Sequence, residues 1–149
     1  MSALIDLFSG IDSSLSAIEA PDRLRLTHGA LKRQIKAVGG QLAALNVGSD
    51  DRVAMVLPNG PLMASAFVCM SPWCATAPLN PAYKSDEFGF YLNDLDAKLL
   101  VVETGSSSPV VDVAQKIGIR IVELQGGEAA GAFSLGQTSI PIQNRDDDA

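Results

Sequence analysis

Short runs of consecutive apolar residues constrain the fold of this chain more than any other feature. Val53–Leu57 is one such run, and Lys98–Val102 contains a second. A strand with one solvent-exposed face alternates polar and apolar residues, whereas a strand covered on both faces needs no polar positions. Both runs therefore predict strands in the interior of a parallel sheet, with helices packed on its two faces.

Helix signals lie between the strand signals, so the chain has the pattern of successive β-α-β units. The clearest helix is His28–Leu45, which has apolar residues every three or four positions and Thr27 as its N-cap. Other helices are predicted at Leu4–Ile11, Pro61–Met70, Asp86–Leu95 (capped by Ser85) and Val110–Ile117, and other strands at Ala75–Leu79 and Ile119–Leu124. The pattern predicts an open, mostly parallel α/β sheet of four strands with right-handed crossovers.

Three segments have a distinctive composition. The Pro61–Met70 helix is nearly all apolar, including Ala64 and Phe67, and is therefore predicted to be buried. Gln125–Thr138 is rich in glycine and small residues, which predicts a long loop. The hydroxyl cluster of the polar segment Gly105–Pro109 is interpreted as a linker; it consists of Ser106, Ser107 and Ser108.

Composition and charge place the chain among ordinary globular domains and exclude some classes of partner. Its 149 residues suffice for one domain, and 47% of them are hydrophobic. The formal net charge of −6 argues against nucleic acid or an anionic membrane, because both require a basic surface. The weakly charged stretch 53–83 is long enough for a membrane span. Prolines interrupt it repeatedly, so no transmembrane helix is expected.

The residues that most often carry chemistry are few and isolated. Cys69 and Cys74 lie five positions apart in an apolar stretch, which predicts two buried thiols in a reducing compartment. The single histidine, His28, is predicted to be a neutral residue at a helix start. Asp94 and Asp96 are interpreted as solvated charges at a helix end. The sequence predicts no catalytic, cofactor-binding or metal-binding residue.

Two strand exits stand out, because parallel sheets bind ligands at the carboxyl ends of their strands. They combine prolines, amides, a glycine and an aromatic residue: Pro58, Asn59 and Gly60 follow one strand, and Pro78, Asn80, Pro81 and Tyr83 end the next. Proline fixes the path of the chain and removes a donor that would have no partner. The main interpretation is a rigid structural motif, and a direct binding role for Asn80 or Tyr83 is the alternative.

Two segments resemble the opening conserved blocks of acyl-adenylate-forming (AMP-dependent) synthetases. The first is Asp51–Gly60. The second is Ala77–Leu92, which contains Pro-Leu-Asn-Pro-Ala-Tyr-Lys followed by Glu-Phe-x-Phe-Tyr-Leu and most resembles the oxalyl-CoA synthetase and peroxisomal acyl-CoA synthetase branch. Thr27–Leu31 occupies the place of an earlier family element but matches it less well. Trp73 departs from the family pattern, in which that position often holds glycine or alanine.

The resemblance implies a partial amino-terminal subdomain of the synthetase large domain. Residues 1–143 would form an incomplete AMP-binding domain, and residues 144–149 an acidic tail ahead of the phosphate loop. The family's phosphate loop, made of serine, threonine and glycine, is not found in the sequence. ATP, magnesium and CoA are therefore implied for the full-length parent, and no cofactor is expected in this chain.

The implied parent reaction converts a carboxylate, ATP and CoA to acyl-CoA, AMP and pyrophosphate, with oxalate or a fatty acid as the carboxylate. The chain itself is expected to be an inactive fragment, in the cytoplasm or the peroxisome, and small-molecule substrates are expected only for the parent. The alternative is a non-catalytic binding or regulatory module, which pairs with a full-length synthetase or with itself through exposed apolar surface. An unrelated Rossmann-like nucleotide binder is disfavoured, because the glycine-rich turn of that fold is missing.

Overall fold

In the computed structural model, which describes residues 14–21 and 23–140, the apolar runs form the interior of a five-stranded sheet. The described strands are β1 (Ser16–Ile18), β2 (Leu26–Thr27), β3 (Arg52–Val56), β4 (Ala75–Pro78), β5 (Leu99–Glu103), β6 (Arg120–Gly126) and β7 (Phe133–Ile140). The described helices are α1 (His28–Ala44), α2 (Pro61–Met70), α3 (Ser85–Leu95) and α4 (Val110–Ile117). The helix predicted at Leu4–Ile11 lies outside the described residues.

The sheet has the order β4-β3-β5-β6-β7. β3 pairs in parallel with β4 on one side and with β5 on the other, and β5 pairs in parallel with β6. β7 is antiparallel to β6. The prediction of an open, mostly parallel α/β sheet with flanking helices is therefore confirmed.

Side chains of the central strands alternate between two separate cores. Val53 and Met55 of β3 point into the first core, which α1 and α2 cover, whereas Ala54 and Val56 point into the second core, which α3 and α4 cover. All four side chains are buried. This two-sided burial explains why the apolar runs need no polar positions.

In the described ranges, no helix combines the length and apolar character that a membrane span needs.

Trp73 packs against α1 in space that a glycine leaves open. Its indole N–H donates a hydrogen bond to the carbonyl of Ile35 at 3.1 Å. A Cβ atom built on Gly39 would lie 2.6 Å from Cε2 of Trp73, well inside van der Waals contact. Gly39 therefore accommodates the large side chain at position 73.

The prediction of a loop over Gln125–Thr138 is wrong at both ends and is confirmed only for residues 127–132. β6 extends to Gly126, and the residues from Phe133 onward form β7. The Gly127 N–H donates to the Ala132 carbonyl at 2.7 Å, which closes the turn between the two strands. The described sheet therefore has five strands rather than the predicted four, and a two-stranded antiparallel ribbon of β1 and β2 precedes it.

Two local predictions about helices also differ from the structure. Ser85 is the first residue of α3 rather than its cap; the N-cap is Lys84, whose backbone N–H donates to Oε1 of Glu87 at 2.8 Å. α2 is buried on one side only, since Ala64 is exposed and Phe67 is 44% exposed. The predicted burial of this helix is therefore wrong for its outer side, which no described element covers.

Candidate functional site

The connections between strands place a crevice at the carboxyl ends of β3 and β5. From β3 the chain passes through α2 to β4 on one side, and from β5 it passes through α4 to β6 on the other. Two neighbouring parallel strands whose connections leave in opposite directions leave a gap between their carboxyl ends. Open α/β sheets bind ligands at such switch points, so this gap is the candidate site.

The gap has a volume of about 430 Å³. It is bounded by the ends of β3 and β5, by the second strand exit and by the loop after β5; the lining residues are Val56, Leu57, Pro58, Asn59, Pro81, Glu103, Ser106, Ser107 and Ser108. An adjoining cavity of about 370 Å³ lies between α2 and the end of β4 and shares Asn59 and Pro81 with the first. The structure thus brings both predicted strand exits together in one crevice.

The exit from β3 is built by a glycine and a proline. Gly60 has φ of 145° and ψ of −166°, a conformation that side chains with a Cβ rarely adopt. Pro61 follows at the first helical position, where its missing N–H leaves no bond unmade. The Gly60 carbonyl accepts from the Ala64 N–H at 3.1 Å, within the first turn of α2. Asn59 is exposed at the mouth of the crevice.

The exit from β4 is held by local hydrogen bonds of Asn80. Its Oδ1 accepts from the backbone N–H of Ala82 at 2.9 Å, and its carbonyl accepts from the N–H of Tyr83 at 3.1 Å. An asparagine side chain used in this way forms a turn. Asn80 also lines the cavity between α2 and the end of β4, so both its structural role and its binding role stay predictions.

Tyr83 leaves the crevice and packs on α3. Its ring stacks on Tyr91 with centroids 5.1 Å apart and meets Phe88 edge to face at 5.7 Å. A hydrogen bond with Tyr91 raises the pKa of Tyr83, and burial and the charges of Tyr91 and Glu87 raise it further. Tyr83 is therefore an anchor between the strand exit and α3, and it does not line either cavity.

The serine loop after β5 forms one wall of the crevice. Oγ of Ser106 accepts from the Ser108 N–H at 3.2 Å, and Oγ of Ser108 accepts from the Val110 N–H at 3.1 Å. The second bond satisfies the backbone N–H of Val110, the first residue of α4. The segment predicted as a linker is thus an ordered turn, in which Ser107 remains exposed.

The charge of the crevice limits what it can hold. Among the described residues that line the two cavities, Glu103 is the one ionisable side chain, and the other polar groups are hydroxyls and amides. A triphosphate requires lysine, arginine or a metal to neutralise it. No group of three or more histidine, cysteine or acidic side chains that could hold a metal occurs in the described ranges. These residues by themselves do not fit magnesium-bound ATP.

The thiols lie in the first core, away from the crevice, and their predicted burial is confirmed. Burial raises the pKa of Cys69, against the opposing effect of hydrogen bonds with Gln34 and Ser65. Burial and the nearby charge of Asp51 raise the pKa of Cys74 to about 11. Both groups are therefore protonated near neutral pH, which is unsuitable for a nucleophile.

Glu103 was not predicted from the sequence as part of a site, and the serine loop was predicted to be a linker. The signal was present, because Glu103 is the last residue of β5, a buried parallel strand. The sequence does not show which strands are neighbours. Glu103 could therefore be placed beside the exit from β3 only once the sheet order was known. His28 and the Asp94–Asp96 pair lie outside both cavities.

Comparison with known proteins gives consistent matches. The sequence profile of the family described as AMP-binding enzyme matches residues 13–141. The chain is 33% identical to an oxalate–CoA ligase of Arabidopsis thaliana over 105 residues, which cover 69% of this chain and 20% of that protein. It is 34% identical to “Probable CoA ligase CCL9” of Humulus lupulus over 125 residues, which cover 82% of this chain and 24% of that protein. The chain therefore spans about a fifth to a quarter of the length of these curated relatives.

Solved structures show the same fold. MatB of Rhodopseudomonas palustris superposes with a TM-score of 0.72 at 23% identity, over 91% of this chain and 30% of MatB. The amino-terminal domain of FACL13 from Mycobacterium tuberculosis superposes with a TM-score of 0.65 at 23% identity, over 76% of this chain and 29% of that domain. The sheet and helices of this chain thus share the fold of part of these two structures.

Proposed function

Because the chain belongs to the AMP-binding enzyme family, we propose that it forms the amino-terminal part of the large domain of an AMP-forming acyl-CoA ligase. The observation that carries this proposal is the family match over residues 13–141, on a sheet that has the family's fold. The parent enzyme would convert a carboxylate, ATP and CoA to acyl-CoA, AMP and pyrophosphate. Oxalate or a fatty acid is the proposed carboxylate, since relatives include an oxalate–CoA ligase and a long-chain-fatty-acid–CoA ligase.

The proposed reaction proceeds in two steps. The carboxylate attacks the α-phosphate of ATP and releases pyrophosphate, and the CoA thiol then displaces AMP from the acyl-adenylate. Both steps require that negative charge on phosphate be stabilised. The crevice contributes hydroxyls, an amide and the carboxylate of Glu103, so the cations would come from elsewhere in the parent. The proposed role of this part is to supply the sheet, the rigid strand exits and one wall of the substrate crevice.

We further propose that the 149 residues have no ligase activity by themselves. Support comes from the crevice lining, which lacks a cation among the described residues, and from the sequence, which lacks the family's phosphate loop. The purified chain would be mixed with ATP, magnesium, CoA and either oxalate or a fatty acid, and pyrophosphate release would be followed. Release at the rate of the blank is expected. Turnover that depends on the carboxylate and on the chain would refute the proposal.

A second candidate function is a non-catalytic module that pairs with a full-length synthetase or with itself. The outer side of α2 favours it. The helix carries no charged residue over Pro61–Met70, and Phe67 is 44% exposed. A helix that is apolar all round is normally covered by protein on all sides. Pairing would bury the exposed phenyl ring of Phe67.

Two phenylalanine variants test this second candidate. Phe67→Ser should weaken concentration-dependent association in light scattering. Phe90→Ser is the matched control, because Phe90 is 64% exposed and belongs to α3, on the other face of the sheet. A wild-type chain that stays monomeric and does not bind a full-length ligase would count against this function.

Location and partners stay proposals of the same kind. A cytoplasmic or peroxisomal location is proposed from the resemblance to the oxalyl-CoA synthetase branch, and small-molecule substrates are proposed for the parent. No nucleic-acid partner is proposed, because the net charge is −6. Cell fractionation with an antibody against the chain measures the location. Recovery with secreted or membrane fractions would contradict it.

A further inference from the structure

The two edges of the sheet differ in how their backbone groups are satisfied. β4 is one edge, and the backbone N–H groups of Ala75 and Leu79 point inward, to the carbonyls of Asp51 at 2.9 Å and Met55 at 2.8 Å. The alternate residues Thr76 and Pro78 face outward, and Pro78 has no N–H to offer. A proline on so short an edge strand hinders pairing with a further strand.

β7 is the other edge, and two glutamine side chains of α1 bind its outward backbone groups. Oε1 of Gln41 accepts from the Leu135 N–H at 3.2 Å, and Nε2 of Gln41 donates to the Leu135 carbonyl at 3.0 Å. Oε1 of Gln34 accepts from the Phe133 N–H at 3.0 Å, and its Nε2 donates to the Gly131 carbonyl at 3.0 Å. The side-chain amide of each glutamine thus accepts from one backbone N–H and donates to one backbone carbonyl, as a residue of a neighbouring strand would.

The helix holds these amides in position. Gln34 and Gln41 are seven residues apart, which is about two helical turns and places both on one side of α1. Nε2 of Gln34 also donates to Oγ of Ser65 at 2.8 Å, so α2 helps to fix its orientation. Both side chains are only partly exposed.

From these contacts we infer that Gln34 and Gln41 act as a surrogate strand, which closes the β7 edge at residues 131–135 to any further strand. An uncovered edge of this kind pairs readily with extended segments of other chains. With Pro78 at the opposite edge and the two glutamines at this one, the sheet resists growth by strand addition. The partner excluded is an extended polypeptide, including a second copy of this chain. This inference is independent of the proposed ligase activity.

Hydrogen exchange of single backbone amides tests the inference on the folded chain. Gln41→Met keeps the length of the side chain and removes both hydrogen bonds. It should speed exchange of the Leu135 amide by about three- to tenfold, the effect of losing one hydrogen bond. The Phe133 amide, which is bound by Gln34, should be unchanged. Gln115→Met on the exposed side of α4 is the matched control and should alter neither amide.

The double variant Gln34→Met, Gln41→Met tests the exclusion of strands. It should associate more strongly than the wild type at equal concentration in light scattering, with a gain of intermolecular β signal in the infrared. If the double variant does not fold, the exchange rate of the Leu135 amide in Gln41→Met is the test of the inference. Unchanged Leu135 exchange in Gln41→Met, or a folded double variant that associates no more than the wild type, would overturn the inference.

Discussion

Gly39→Ala and Gly40→Ala change adjacent residues of α1 and are predicted to shift the free energy of unfolding in opposite directions. Alanine in place of glycine within a helix gains about 1 kcal/mol from backbone propensity. At Gly40 nothing lies within 4 Å of the added Cβ, so this gain should appear. At Gly39 the added Cβ lies 2.6 Å, 2.7 Å and 2.9 Å from three ring carbons of Trp73.

The clash at Gly39 should outweigh the gain in propensity. Carbon atoms in contact normally lie about 3.5–4.0 Å apart, so the indole must move by roughly 1 Å. Overpacking of this kind costs about 1–3 kcal/mol. The movement also strains the 3.1 Å hydrogen bond from the indole N–H to the Ile35 carbonyl, a bond worth about 1 kcal/mol. Gly39→Ala should therefore be less stable than the wild type by about 1–3 kcal/mol, and Gly40→Ala more stable.

Urea denaturation measures both changes. Fluorescence of Trp73, the only tryptophan, reports the contact itself, and far-UV circular dichroism reports the fold. Trp73→Leu in the Gly39→Ala background should relieve part of the clash and give a coupling energy of about 1 kcal/mol or more. If Gly39→Ala proves as stable as Gly40→Ala, the packing of Trp73 on α1 described above is refuted.

Two further predictions concern ionisable groups. Cys69 and Cys74 should react with Ellman's reagent far more slowly in the folded chain than in guanidinium chloride, because burial raises both pKa values, that of Cys74 to about 11; equal rates would contradict their burial. The 2.7 Å bond from the Gly48 N–H holds the pKa of Asp51 below its usual value, and Lys98 adds to the effect. The pKa of Asp51 is thus lower in the folded chain than in the unfolded chain, so its carboxylate stabilises the fold at pH values above the pKa of the unfolded chain. This stabilisation is lost as the pH falls through the pKa of the folded chain. Asp51→Asn should make stability less sensitive to acid than Asp50→Asn does, and identical acid profiles would show that the bond contributes nothing.

The candidate site was predictable in part. Pro58, Asn59 and Asn80 were identified from sequence because each follows a strand, and the structure brings the two strand exits together. Glu103 was missed because its neighbours in space depend on β5 lying beside β3 rather than beside β4. That order arises from the handedness of the crossovers and the packing of helices on both faces, which no single segment encodes.

β7 (Phe133–Ile140) shows how tertiary contacts override local preference. Glycine content predicted a loop there, although Phe133 and Leu135 alternate with an exposed Ser134. The strand forms because β6 pairs with it on one side and the glutamines of α1 bind it on the other. β6 is joined to it by a short turn, whereas Gln34 and Gln41 lie 99 and 94 residues before the backbone groups that they bind.

By itself, the sequence determined the interior strands, the long amphipathic α1 and the membership in the AMP-binding family. These follow from local patterns: continuous apolar runs, a three- to four-residue period and two motif segments. Only the tertiary structure decided the crevice between β3 and β5, the fit of Trp73 on Gly39 and the existence of β7. The crevice, the Trp73–Gly39 contact and the glutamine bonds that cover β7 each join residues that are far apart in the chain. Their energies arise from packing and hydrogen bonds that exist only once the sheet is assembled.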